Sequence, residues 1–382
     1  MLDDSPSPFG TFFVPGPTEI RPEILAQLTR PIMGHRGREF EAMFARIEAG
    51  LRDVLLTARP VYVGATSATG FMEMAIRNLS PGPILSLVNG AFSERFALIA
   101  ESCGREVQRV VVPWGEIYDF DVVESVLEAK RFVAVTVAHS ETSTGVITDV
   151  RKVAELAHRY GAICIVDSVS GAGGAEITVD GWGIDFCLTG SQKALALPAG
   201  LAFAVASAEF IERAKSVQNR GFYFDIVEYE NYAQKNQTPS TPATSLLYAL
   251  EAQMGDIGRE GIERRWERHI AMRDATIDWV YGMSTRRGIE LSVFAPDGAR
   301  SPTVTVVKLP PELKGPEVSD AIKARGITVG SGYGKLKDST IRIGHMGDHT
   351  LEGIRRCLHA CESAITELAE RKRFVHAGRG LF

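Results

Sequence analysis

From about residue 38 onward, stretches with apolar residues at helical spacing alternate with short runs that are apolar throughout. That alternation predicts βαβ units and a mainly parallel sheet. The first long helix is expected over 39–57, where Phe40, Met43, Phe44, Ile47, Leu51, Val54 and Leu55 share one stripe and Pro60 ends it. Buried strands are expected at 61–63, 84–88, 107–112, 132–137 and 162–166, because runs without polar alternation suit strands covered on both faces. Between them lie helix-like segments at 92–103, 121–129 and 150–160, the last with Asp149 as N-cap and Gly161 as C′ glycine. After Asp167 comes a Gly- and Ala-rich passage, 171–175, and strands near 186–188 and 201–205 complete the sheet. A helical stretch from 245 to about 280 leads to a second region, with strands at 303–309, 327–329 and 340–343 between helices at 316–325 and 350–370. The pattern therefore predicts two closely packed domains: 1–260, an N-terminal arm and a large domain, and 261–382, a smaller α+β domain.

Composition narrows the function classes. A chain of this length buries roughly 75% of its unfolded surface, and 45% hydrophobic with 23% charged residues is the balance of an ordinary globule, not of a disordered chain. No run approaches the roughly 18 apolar residues of a membrane span, and Met1-Leu2-Asp3-Asp4-Ser5-Pro6 lacks a leader pattern, so a cytoplasmic protein without a membrane partner is expected. Five scattered cysteines fit a reducing compartment and read as small buried hydrophobes. A net charge of −5 without a basic stripe argues against nucleic acid as partner, and Arg371-Lys372-Arg373 reads as a solvated chain end.

Several common sites are absent. There is no His-Glu-x-x-His, no paired Cys-x-x-Cys, no Gly-x-Ser-x-Gly and no Rossmann glycine pattern after the first strand. On a helix, Cys357 and Cys361 share a face that His359 does not, so no metal is expected there. The run from Gly330 to Lys335 lacks the first glycine of a phosphate loop and has Leu336 in place of the magnesium-binding hydroxyl.

Two features carry chemistry. Asp167 ends an apolar strand, where ligands bind in open α/β sheets. Lys193 lies in a Gly-Ser-Gln-Lys turn between two strand candidates, an unusual place for a residue that is almost never buried without a partner. Together they supply what pyridoxal phosphate needs: an amine to hold its aldehyde and a carboxylate to keep its ring nitrogen protonated. Thr66-Ser67-Ala68-Thr69-Gly70, between the first strand and a helix from about Thr69, offers backbone N–H groups for a phosphate dianion.

With these residues in view, the chain resembles the class V aminotransferases of fold-type I, in particular the alanine–glyoxylate and serine–pyruvate (or serine–glyoxylate) group. Ordered matches run over nearly its whole length: Phe13-Val14-Pro15-Gly16-Pro17-Thr18, Gly34-His35-Arg36-Gly37, Asn89-Gly90-Ala91-Phe92, His139-Ser140-Glu141-Thr142-Ser143-Thr144-Gly145, Val166-Asp167-Ser168-Val169-Ser170, Gly190-Ser191-Gln192-Lys193-Ala194 and Ile341-Arg342-Ile343-Gly344. The resemblance implies Lys193 as anchor and base, and Asp167 as partner of the pyridine nitrogen. It implies Thr142 near the ring oxygen, with Val169 on one ring face and Phe92 on the other, where some relatives carry tryptophan. By itself Phe92 reads as one more apolar residue opening a helix. Ser67, Ala68, Thr69 and Gln192 are implied phosphate ligands, and Thr238 and Thr241 ones that reach across a homodimer to the partner's phosphate. Thr238 departs from the tyrosine of some relatives. Arg342 is implied to hold the substrate α-carboxylate, and Arg36 to lie near its side chain. The implied reaction moves an amino group from alanine or serine to glyoxylate or pyruvate. Aspartate, ureidoglycine or an aminophosphonate remain alternative donors. Cysteine desulfuration lacks its loop cysteine in Val329-Gly330-Ser331-Gly332-Tyr333-Gly334, and a binder of pyridoxal phosphate or a nucleotide without turnover has no use for both Lys193 and Arg342.

Overall fold

The computed structural model describes residues 9–379, with side chains through Arg373. Met1–Pro6, on which the expectation of a missing leader rests, lie outside the described residues. Seven strands form the larger sheet: β1 (Val61–Gly64), β2 (Ile84–Val88), β3 (Val107–Val111), β4 (Ala134–Ala138), β5 (Ile163–Asp167), β6 (Phe186–Gly190) and β7 (Ala202–Ala206), in the order β1-β7-β6-β5-β4-β2-β3. Only β7 runs antiparallel to its neighbours; the other pairings are parallel.

Alternation explains why these strands read as unbroken apolar runs. Cys164 and Val166 of β5 face one core with Phe40, Ile47 and Leu247, whereas Ile163 and Ile165 face a second core with Phe71 and Phe96. Side chains of period two thus feed both faces. Helices Arg38–Leu55, Val150–Arg159 and Thr244–Glu260 cover the first face, and Ala68–Arg77 and Ala91–Ser102 the second. Each fully buried aliphatic side chain contributes roughly 1.5–3 kcal/mol. The expected caps are present: Asp149 accepts from the Lys152 N–H at 3.1 Å, and Gly161 turns with φ +72°.

The smaller sheet joins Phe12–Phe13, Thr328–Ser331, Thr340–Gly344, Val304–Lys308 and Ser292–Val293, in that order. The N-terminal arm therefore adds its strand, parallel, to the sheet of the C-terminal region. The helix expected over 245–280 is two helices, Thr244–Glu260 and Ile262–Arg287, because Gly261 adopts φ +82°, outside the helical region. The last helix, Leu351–Arg379, runs past its expected end. Arg371-Lys372-Arg373 is accordingly no loose tail: Arg371 pairs with Glu367, Lys372 with Glu317 at 2.6 Å, and Arg373 donates to the Gly288 carbonyl. Cys357 and Cys361 are buried and His359 is exposed, as the helical spacing requires. Among the described residues no helix is long and apolar enough to cross a membrane.

Candidate active site

Parallel strands bring β5 and β6 side by side, with Asp167 opposite Leu188, so the carboxyl end of β5 and the turn after β6 open on the same side. In that turn Lys193 is only 8% exposed and its Nζ donates to the Pro15 carbonyl. The arm crosses so closely here that a Cβ on Gly16 would stand 2.6 Å from Lys193 Nζ, and Gly16 has φ +107°; both features require glycine. The turn is clamped from behind by the Thr18 N–H to the Gln192 carbonyl at 2.9 Å, and by Arg265, which donates to the carbonyls of Ala194 at 2.7 Å and Gly173 at 3.1 Å.

Lys193, Asp167, Thr142 and Val169 line one cleft. Ser67, Ala68, Thr69 and Gln192 close one end of it, and Phe92 forms a wall. Two helices present their N-termini nearby, and they differ. Helix Ala68–Arg77 has no side-chain cap at Ser67, so its first N–H groups remain available to an anion. Gln192 folds back toward it beside Gly190, whose Cβ would meet Gln192 Oε1 at 2.8 Å and Ala68 Cβ at 3.3 Å. Helix Ala91–Ser102, by contrast, is closed by the buried Glu141, which accepts from the N–H groups of Phe92 and Ser93. The open terminus suits a phosphate and the closed one fixes an aromatic ring.

Electrostatics agree. Burial pushes the Asp167 carboxyl up to about 7 despite the 2.9 Å bond it accepts from the Val169 N–H, and burial, helped by the Arg342 guanidinium, brings the Lys193 amine down to about 8. A carboxyl so desolvated gains from a cation set against it, and an amine near neutrality is ready to attack an aldehyde. An open helix end for a dianion, a carboxyl for a ring nitrogen and a nucleophilic lysine fit pyridoxal phosphate.

The structure also brings together residues that the sequence reading missed. Arg95 lines the cleft one helical turn beyond Phe92, with its guanidinium 4.8 Å from that ring and a 3.1 Å bond to the Tyr333 hydroxyl. Tyr333 packs on Phe92 with ring centroids 5.2 Å apart and lies 5.4 Å from the Arg342 guanidinium. Among the described residues neither Arg95 nor Arg342 pairs with a carboxylate. Met72, Ser140 and Ser170 complete the lining, and Ser170 bonds the Thr142 hydroxyl. The position of Arg95, three residues after Phe92 on one helix, was the only local signal for any of these.

Four expected site residues are not part of this lining. Arg342 is one of them, with its Nε donating to the Ser331 carbonyl at 3.0 Å, yet near enough to help burial lower the Lys193 amine. Thr238 and Thr241 line a different pocket, with Tyr223 and Tyr229, and the Thr238 hydroxyl donates to the Ser240 carbonyl. Arg36 is exposed and bonds Gln237 Oε1 and the Thr238 carbonyl at 2.9 and 2.8 Å. Arg36 and Gln237 meet beside helix Arg38–Leu55, where the Gln237 amide donates to Glu41 at 2.8 Å.

A lysine and an aspartate at the carboxyl ends of a mainly parallel seven-stranded sheet, with a smaller α+β unit beside them, define a pyridoxal-phosphate enzyme of fold-type I. The sequence model of the family described as aminotransferase class-V matches residues 27–355, and this chain belongs to that family. An uncharacterised aminotransferase of Methanocaldococcus jannaschii is 36% identical, over 93% of this chain and 92% of its own. The L-aspartate–glyoxylate aminotransferase of Paracoccus denitrificans is 32% identical, over 88% and 86%. The crystal structure of alanine–glyoxylate aminotransferase from Nostoc superposes with a TM-score of 0.88 at 28% identity, over 96% and 97%. The protein is an aminotransferase that uses pyridoxal phosphate.

Proposed function

We propose that this enzyme moves the amino group of a small amino acid, alanine or serine, to a 2-oxo acid, glyoxylate or pyruvate, by a ping-pong route. The observation that carries this reading is Arg342 near Lys193: a guanidinium that, among the described residues, pairs with no carboxylate, close enough to help bring a buried amine down to about 8. Glyoxylate as acceptor is supported by the names of two similar proteins that differ in donor. When bound, the cofactor supplies an electron sink and carries the amino group from donor to acceptor. Arg342 holds the substrate α-carboxylate as a bidentate fork and so turns Cα toward Lys193. Lys193 Nζ then removes the Cα proton; Asp167 would hold positive charge at the cofactor's ring nitrogen, and Phe92 and Val169 would pack against its ring.

A second reading, aspartate as donor, is favoured by Arg95, a further guanidinium at the cleft that would receive a side-chain carboxylate. The test is the visible absorbance of the purified protein as alanine, serine, aspartate and cysteine are added in turn without an oxo acid. Loss of the lysine-bound cofactor's absorbance with alanine or serine, restored by glyoxylate, is expected. Loss with aspartate alone establishes the second reading, sulfide release from cysteine points to desulfuration, and no visible band after added cofactor overturns the Asp167 and Lys193 assignments.

The same reading makes the active form a homodimer. The exposed Arg36 bonds the segment of Thr238 and Thr241, which lines a pocket separate from that of Lys193, and Phe222 of the neighbouring loop is 97% exposed. Both features suit a second chain's cleft, and a sedimentation mass of one chain under assay conditions would count against it. We place the boundary between large and small domains at Glu260 and Gly261, and the enzyme in the cytoplasm, which suits its free thiols.

A further inference from the structure

Two motifs, Asn89-Gly90-Ala91-Phe92 and the Glu141 of His139-Ser140-Glu141-Thr142, remain without a role in the reaction beyond Phe92 and Thr142 themselves. The structure joins them. Glu141 follows β4 in a short hairpin and is fully buried, yet among the described residues it faces no lysine or arginine at ion-pair distance. Its two oxygens instead accept from the start of helix Ala91–Ser102: the Phe92 N–H at 3.1 Å, the Ser93 N–H at 2.9 Å and the Ser93 hydroxyl at 3.1 Å. The Ser143 N–H at 3.0 Å and its hydroxyl at 2.6 Å complete the set, and Ser143 Oγ in turn accepts from the Ala91 N–H at 3.0 Å.

The first N–H groups of a helix have no partner within it, and a carboxylate there gains both those bonds and the helix dipole. Here that carboxylate comes from another segment, so it fixes the helix start relative to the hairpin that carries Thr142. Gly90 makes the approach possible: a Cβ there would stand 2.3 Å from Glu141 Cγ and 2.6 Å from Ser143 Oγ. The residue so fixed is Phe92, the cleft wall.

We infer that Glu141 is a positioning residue, which acts through the Phe92 backbone to hold that ring at the angle needed to stack on the cofactor. The inference rests on the reading of this cleft as the cofactor site. A glutamine at 141 keeps the shape but turns one acceptor into a donor, and each side of the carboxylate faces a backbone N–H that can only donate, so the helix start or the hairpin must shift.

The experiment is a double-mutant cycle on pyridoxal phosphate affinity and on the visible circular dichroism of the bound cofactor, using Glu141→Gln, Phe92→Leu and both together. Glu141→Gln is expected to weaken cofactor binding about tenfold, the scale of a lost aromatic stack, and to change the dichroism. In the Phe92→Leu background the same change is expected to have little further effect. An equal loss in both backgrounds means that Glu141 acts by its charge or on the fold at large, and overturns the inference, as does a folded Glu141→Gln protein with unaltered affinity and dichroism. Should Glu141→Gln not fold, Ser143→Ala, which removes one bond to Glu141 and one to the helix, carries the cycle with the same two outcomes. Wild-type protein that binds no pyridoxal phosphate would instead overturn the reading of the cleft itself.

Discussion

Lys193→Ala is expected to lower kcat/KM for transamination by about 10⁴-fold or more, measured with a reactive donor and glyoxylate at saturating cofactor. A well-placed general base contributes roughly 10²–10⁴-fold, and this amine is also the nucleophile that binds the aldehyde. A primary amine such as methylamine is expected to restore part of the rate by taking the vacated place of the base. Activity within tenfold of wild type would remove Lys193 from the chemistry. The same amine sets a pH dependence in the intact protein. Burial, with the neighbouring Arg342, lowers Lys193 to about 8, and only the neutral amine attacks. Capture of pyridoxal phosphate by apoprotein, followed by stopped-flow absorbance, should therefore accelerate as pH rises toward about 8 and level off above it; a flat profile contradicts the assignment.

Arg265→Met is expected to cost about 3 kcal/mol of stability, seen as a fall of about 4 °C in apoprotein Tm at fixed concentration. Arg265 is only 2% exposed. It pairs with Asp348 at 2.9 Å and Glu260 at 2.8 Å, and bonds the carbonyls of Gly173 and Ala194. Methionine fills much of the volume but leaves both carbonyls unpaired, while Arg21 still holds Asp348 at 2.7 Å and limits the damage. Burial alone would raise the Asp348 carboxyl, but Arg265 and Arg21 hold it below the usual carboxylate range. Its folded-state value being depressed, its contribution is present above the unfolded value and is lost as pH falls through the folded one. The variant should narrow that acid margin. A Tm within 1 °C of wild type would show that the network contributes little. Because Arg265 also supports the Ala194 carbonyl next to Lys193, kcat is expected to fall with stability.

Most of the elements were legible in the sequence. Strands such as β5 and β2 are buried along their whole length and apolar but for Asp167 and Ser86, because both faces are covered, and the Asp149 and Gly161 signals mark the helix Val150–Arg159 by local backbone chemistry. Gly261 went unread because a single glycine between two apolar-periodic stretches does not interrupt the pattern, although its φ of +82° ends one helix and starts another. Asp167 and Lys193 were legible as residue types out of place: a carboxyl after a buried strand and a lysine in an apolar turn.

What the sequence determined by itself is whatever a side chain imposes on its own neighbours: helix stripes, caps, turn glycines and the chemical kinds of group available to the cleft. The tertiary structure decided which of them meet. It set Glu141 against the backbone of Phe92, Arg265 behind Lys193, the arm's Gly16 over the same lysine, and Arg95 with Tyr333 beside Arg342. It also set Thr238 and Thr241 in a second pocket, with the exposed Arg36 bonded to their segment. Most of these pairs are separated by tens to hundreds of residues, and no local period records them; they form because burying two core faces on one sheet, and a third core beside it, brings distant segments together, where buried polar groups must find partners.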